Sequence, residues 1–135
     1  MTSPKPAPTR GQAAQAISHA IVRVMRDYTG RGPTKAHTTI NDNVVIVVLR
    51  DTLLKAERSL VNDGHADDVI TMRRRFQSTM RHEFIAAVTE HTGRKVEAFL
   101  SDNAIDPDVA VEVFVLERRD AGGQDVRANG SPETA

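Results

Sequence analysis

Residues 35–50 read KAHTTINDNVVIVVLR, and this stretch decides the fold. Lys35–Ile40 alternates. Ala36, Thr38 and Ile40 fall on one side; Lys35, His37 and Thr39 fall on the other. A two-residue period belongs to a strand. Asn41-Asp42-Asn43 supplies a turn, because Asn and Asp accept positive φ. Val44–Leu49 is apolar without interruption and rich in β-branched residues, so it returns as a second strand. This second strand is apolar on both faces.

Helices flank the hairpin. Ala13, Ile17, Ile21, Val24, Met25 and Tyr28 recur at helical spacing before it. Thr9 and Gln12 have capping-box spacing at the start. Gly30 stops this helix, and Gly32-Pro33 prevents its continuation. After the hairpin, Asp51 or Thr52 caps a short helix through Leu53, Leu54, Ala56, Leu60 and Val61, which Asp63-Gly64 ends. A long helix then runs from about Asp67 to Thr92, with Val69, Met72, Phe76, Met80, Phe84, Ala87 and Val88 as its stripe. Gly93 ends it. Two strands close the chain: one from Val96 to Ser101, then a turn through Asp102–Asp108, then Val109–Glu117.

The order is helix, two strands, inserted helix, helix, two strands. Thr29-Gly30-Arg31 and Thr92-Gly93-Arg94 end the long helices, and Asp42-Asn43 and Asp102-Asn103 mark the hairpins. The pattern reads as a doubled αββ unit with residues 51–65 inserted. The expected fold is α+β: a four-stranded, mostly antiparallel sheet with two long helices on one face.

The chain has 135 residues, with 18 Lys+Arg against 18 Asp+Glu and no Cys. One domain is expected, over 11–118, between disordered tails at 1–10 and 119–135 that carry too little apolar surface to offset ordering entropy. Residues 11–118 hold 14 Lys+Arg and 15 Asp+Glu, so the domain itself is neutral. Neutrality argues against bulk binding to nucleic acid. Val44–Leu49 is far short of the roughly 20 residues that span a bilayer, so no direct membrane insertion is expected. The N-terminal MTSPKPAPTR shows no apolar signal segment, and a cytoplasmic location follows as the expectation. Lack of Cys removes disulfides and thiolate chemistry.

A sheet covered on one side alternates apolar and polar residues. Val44–Leu49 and Val109–Leu116 do not. Phe99, Phe114 and Leu116 add apolar area to the face opposite Val111 and Val113. The inserted helix or a second copy of the chain could cover that second face. A homodimer is expected, through Val44, Ile46, Val48, Phe99, Phe114 and Leu116.

Chemistry is harder to find. His19, His37, His65, His82 and His91 lack metal-ligand spacing, and no metal or cofactor is expected. Gly30-Arg31-Gly32-Pro33 leaves a helix C-terminus, where the dipole has the wrong sign for phosphate. Asp102, Asp106 and Asp108 read as turn formers. Arg73, Arg74 and Arg75 form the densest positive cluster. Arg74 and Arg75 take solvated positions, but Arg73 falls in the apolar stripe near Met80 and Phe84. A charge there needs a partner. Asp42, Asp51 and Glu57 are candidates, and an anionic ligand is another. Few aromatic residues are present to stack on RNA. No catalytic constellation is present, so a non-enzymatic role is expected.

The run GRGPTKAHTTINDNVVIVVLRDTLLKAERSLV, the helix carrying RRRF, HTGRKVEAFLSDN and VEVFVLER resemble the MpsC family over about residues 11–118. Its most specific pieces here are Gly30–Pro33, Leu49–Glu57, Arg73, and Thr92-Gly93 followed by Val96. The family name refers to a sodium-translocating, membrane-potential-generating system. The resemblance implies a cytoplasmic accessory or regulatory partner of a membrane ion or inorganic-carbon transport complex, and carries over no catalytic residue. A second reading is a small anion or nucleotide sensor using Arg73 with Arg31 or Arg50.

Overall fold

The computed structural model describes residues 6–118. Residues 1–5 and 119–135, where tails were expected, lie outside the described residues. The elements run α1 (Arg10–Thr29), β1 (Lys35–Asn41), β2 (Val44–Arg50), α2 (Lys55–Asn62), α3 (Ala66–Thr92), β3 (Val96–Ala104) and β4 (Val109–Leu116). The four strands form one sheet in the order β1-β2-β4-β3, with every pairing antiparallel. This is the expected α+β architecture.

Local chemistry explains the element ends. Thr9 Oγ1 accepts from the Gln12 N–H at 3.0 Å, and Gln12 Oε1 accepts from the Thr9 N–H at 2.9 Å. The capping box therefore closes two helix-start donors. Gly30 ends α1 at φ 85° and Gly93 ends α3 at φ 68°, both left-handed. Asp42 turns the first hairpin at φ 55°. The second hairpin differs from expectation. Asp102 and Asn103 lie within β3, which runs on to Ala104, so the turn is confined to residues 105–108. The start of α2 differs too. Leu54 is its N-cap residue, and Glu57 reaches back to accept the Leu54 N–H at 2.8 Å.

The repeat has a geometric basis. Thr29 Oγ1 donates to Met25 O at 2.7 Å, and Thr92 Oγ1 donates to Val88 O at 2.7 Å. Arg31 Nη1 then donates to Asp51 O, the first carbonyl after β2, at 2.9 Å. Arg94 Nη2 donates to Glu117 O, the first carbonyl after β4, at 2.8 Å. Each Thr-Gly-Arg thus ties a helix end to the far end of its own hairpin.

Both long helices pack on one face of the sheet. Ile17 and Ile21 of α1 and Met80, Phe84 and Val88 of α3 meet Val45, Val47, Leu49, Phe99, Phe114 and Leu116. Phe84 meets Phe99 edge-on at 6.1 Å, and Phe99 lies 4.9 Å from Phe114 between ring centres. Ser18 and Thr38 share a buried hydroxyl hydrogen bond of 2.7 Å.

This packing corrects the expected dimer face. Phe99, Phe114 and Leu116 point under the helices and are buried, Phe114 and Leu116 completely. Val44, Ile46 and Val48 point the opposite way, so the six residues divide between two faces. The inserted helix α2 covers neither: it packs against α3.

The core predicts its own sensitivity. Phe84→Ala should cost about 3–5 kcal/mol in urea denaturation, since it removes a fully buried ring from the junction of both helices and the sheet.

Candidate functional site

The polar centre of the molecule lies where the chain leaves β2 and enters α2. Asp51 takes φ 59°, a left-handed conformation that turns the chain sharply after the strand. Residues 51–57 are then fastened by side chains from four directions.

Arg73 of α3 is the main one. Its Nε and Nη2 donate to Glu57 Oε2 and Oε1 at 2.9 and 2.6 Å. Nη1 donates to Thr52 Oγ1 and Asn103 Oδ1, both at 2.8 Å. Nη2 also donates to Thr52 O at 2.9 Å. A guanidinium has five N–H groups, and all five are engaged. The side chains of Arg73 and Glu57 retain only 12% and 4% exposure. Glu57 is therefore the partner among the three acids considered.

Asp108 grips the same segment from the second hairpin. It accepts from the Thr52 and Leu53 N–H groups at 3.0 Å each and from Thr52 Oγ1 at 2.8 Å. Arg58 adds an ion pair at 3.2 Å. Burial alone pushes the Asp108 carboxyl up, but these donors together hold it below the usual carboxylate range. On the outer side, Asp51 accepts from Thr34, Arg31 and Arg58 at 3.0, 2.7 and 3.1 Å. The Thr34 hydroxyl leads in holding its carboxyl low, with Arg31 and Arg58 adding to it.

The three arginines considered for one anion site do not form one. Arg73 has no N–H left to donate. Arg31 clasps Asp51 and the carbonyls of Asp51 and Leu53. Arg50 lies exposed at the end of β2, on the sheet face turned away from the helices. Arg74 and Arg75 are exposed, as their spacing predicts. Among the described residues no group of three or more His, Cys, Asp or Glu side chains is placed to hold a metal ion. Asp108 is a fastener as well as a turn residue.

One further acid borders this cluster. Glu112 lies in the β4 file with Ala110, Phe114 and Leu116, beneath the helices, and is 4% exposed. It faces Ser101 directly across the β3–β4 pairing. Its Oε1 is buried without a hydrogen-bond partner. Desolvation pushes its carboxyl from the ordinary 4.5 to about 7, against the lowering effects of the Ser101 hydroxyl and the Arg73 charge. Glu112 lines a small cavity with Met25, Phe76, Met80 and the Arg73–Glu57 pair, and the space open to water-sized centres is about 40 Å³. The sequence signal was a single Glu inside the apolar run Val109–Leu116.

The other face of the sheet is apolar across β2 and β4 and is uncovered by any described element. Val44, Ile46 and Val48 of β2 lie beside Val115, Val113 and Val111 of β4. Leu100 extends the patch onto β3 and is 57% exposed; Ile46 is 37% exposed. Lys35, His37 and Arg50 border this patch on the β1 side, and Asp102 borders it on β3.

Comparison with known proteins fits this architecture to a family. The model of the family described as "MpsC: Na+-translocating membrane potential-generating system (MpsC)" matches residues 9–118. The uncharacterized protein YrhF of Bacillus subtilis (strain 168) is 26% identical over 102 residues, covering 73% of this chain and 84% of YrhF. No solved structure matches.

Two outcomes follow. Arg73→Met should cost about 3–5 kcal/mol in chemical denaturation, because it leaves Glu57 buried and unpaired, and Arg73→Met with Glu57→Met should recover part of that loss. The second concerns pH. Below the ordinary carboxyl value, Glu112 is protonated whether folded or unfolded. As pH rises toward 7 the unfolded chain ionises first, and folding loses about 3 kcal/mol in all. Glu112→Gln should therefore raise the melting temperature at pH 8 and leave it nearly unchanged at pH 4.

Proposed function

The chain belongs to the MpsC family, and on that footing we propose that it is a non-enzymatic, cytoplasmic accessory protein of a membrane ion-translocating system, working as a homodimer. The uncovered apolar sheet face carries the reading. The outward file of β1 is polar, so the apolar area spans β2, β4 and β3; three strands about 4.8 Å apart and seven residues long at about 3.3 Å each make roughly 14 by 23 Å. Monomeric proteins rarely leave contiguous apolar patches above a few hundred Å² in water.

A second copy is the occupant that the rim favours. The β1 side of the face is cationic, through Lys35 and the neighbouring Arg50 at the end of β2, and the β3 side carries Asp102. A two-fold axis along the strands lays the β1 edge of each copy over the β3 edge of the other. Unlike charges then meet twice, outside a centre of Ile46, Val48, Val111 and Val113. Sheets pack face to face in this way about 10 Å apart.

The polar cluster supports a role without catalysis. Arg73 and Glu57 are committed to each other, and Arg73 and Asp108 to residues 52 and 53, so these three groups serve the fold. No described helix is long and apolar enough to cross a membrane. The family description supplies the ion system, with this chain as a partner of its membrane components.

Light scattering on a sizing column should give twice the 14.8 kDa chain mass at micromolar concentration. Ile46→Asp should give a folded monomer by circular dichroism. Asp102→Lys should weaken the dimer, and adding Lys35→Asp should restore it. A wild-type monomer at that concentration ends the dimer reading. In cells, a voltage-sensitive dye should report a weaker sodium-dependent membrane potential on deletion, rescued by the wild type and not by Ile46→Asp. An unchanged potential ends the ion-system reading.

A further inference from the structure

The cavity beside Glu112 lies on the helix side of the sheet and is independent of the dimer face. Its chemistry is one-sided. All five Arg73 N–H groups are used, and both Glu57 oxygens already accept: Oε1 from Arg73 and the Leu54 N–H, Oε2 from Arg73. Glu112 Oε1 is left, a buried acceptor without a donor. Native proteins pair nearly all such groups, so an unpaired one asks for an explanation.

The groups facing Glu112 are few. Arg73 comes from α3 and Glu57 from α2, and their charges cancel. Ser101 and Asn103 come from β3, Gln77 from α3 and Thr52 from the segment after β2, all uncharged. Met25 and Thr29 come from α1, and Val47 lies opposite on β2. When Glu112 ionises, its charge is the one left uncompensated in the cavity. An anion finds no free cation in this lining, since every Arg73 N–H is used, and it would lie against the Glu112 carboxyl. A divalent metal ion wants six or more oxygen ligands and finds one free carboxylate oxygen. The apolar part of the wall is Met25, Phe76, Met80 and Phe84, and at the methionines it is adaptable in shape.

We propose that this cavity binds a small organic ammonium ion, its N–H donors on Glu112 Oε1 and its short apolar chain against Met25, Phe76 and Met80. The ammonium supplies both the missing donor and the missing charge. The limited space admits the head and a few carbons, with the remainder at the mouth. Bound cation stabilises the ionised carboxylate, so affinity rises as pH climbs past the point where Glu112 gives up its proton. The lining includes Leu54 and Glu57 at the start of α2, so occupancy bears directly on how the inserted helix is seated.

Thermal shift and calorimetry with n-butylammonium, n-butanol and butyrate at pH 6 and pH 8 test this. Butylammonium at millimolar concentration should raise the melting temperature, with at least threefold tighter binding at pH 8 than at pH 6. Butyrate should give no shift, and butanol a smaller one without pH dependence. Glu112→Gln should abolish the butylammonium response. A carbon-13 titration of Glu112 in the wild type should show its midpoint falling when butylammonium is added, which does not depend on the variant folding. No response to butylammonium at either pH means that water alone fills the cavity, and overturns the proposal. An equal response to butanol, or one retained in Glu112→Gln, overturns it as well.

Discussion

The buried guanidinium of Arg73 is the constraint on which the rest of the polar architecture depends. A charge inside an apolar stripe is tolerable only when its donors are met. Meeting them fixes several separate pieces of chain. Glu57 must face inward from α2, Thr52 must present its carbonyl and hydroxyl, and Asn103 must extend the inner file of β3. Glu57 is the one fully buried residue of α2. The inserted helix is therefore held by an ion pair and hydrogen bonds more than by hydrophobic burial. Thr52 joins the two fasteners, accepting from Arg73 and donating to Asp108 through one hydroxyl.

The two αββ units share a device, and the insertion breaks their symmetry. Arg31 and Arg94 each reach the first carbonyl beyond the second strand of their own hairpin. In the second unit the chain ends its sheet there. In the first it turns at Asp51 and enters α2, and Arg31 also meets the Asp51 carboxylate. Gly32 belongs to the same elbow. A Cβ there would stand 3.0 Å from Val22, so the chain passes close along α1.

Much of this was legible in the residues. Helical stripes, the capping box and the two glycine stops place α1 and α3 because each signal is local. The hairpin at Asp42 is local too. The covered side of the sheet was not legible, because β2 and β4 carry apolar residues on both faces and period-two alternation then has no contrast. Glu112 misleads further. A Glu among Ala110, Phe114 and Leu116 marks that file as the outer one by ordinary rules, yet it is the inner one. Residue size was the better guide: Phe99, Phe114 and Leu116 fill the space under two helices, while the outer β4 file is valine throughout. Arg73 was legible as a buried charge. Its partner was not, since Glu57 lies sixteen residues away on an element whose placement the pair itself determines.

Glu57 and Glu112 lie beneath the same helices and differ in what they meet. Glu57 is surrounded by donors, so its charge is part of the fold. Glu112 meets one hydroxyl and a distant share of Arg73, and its burial works against its charge. A valine at 112 would continue the core from Val47 to Phe114, with no donor to satisfy. The fold therefore gains nothing visible from a carboxyl at this position, whereas removing Glu57 would strand Arg73. An acid that the architecture does not require, set in a cavity whose one other ion pair is fully committed, is best explained by what can enter that cavity. This physical distinction separates the fastener from the site.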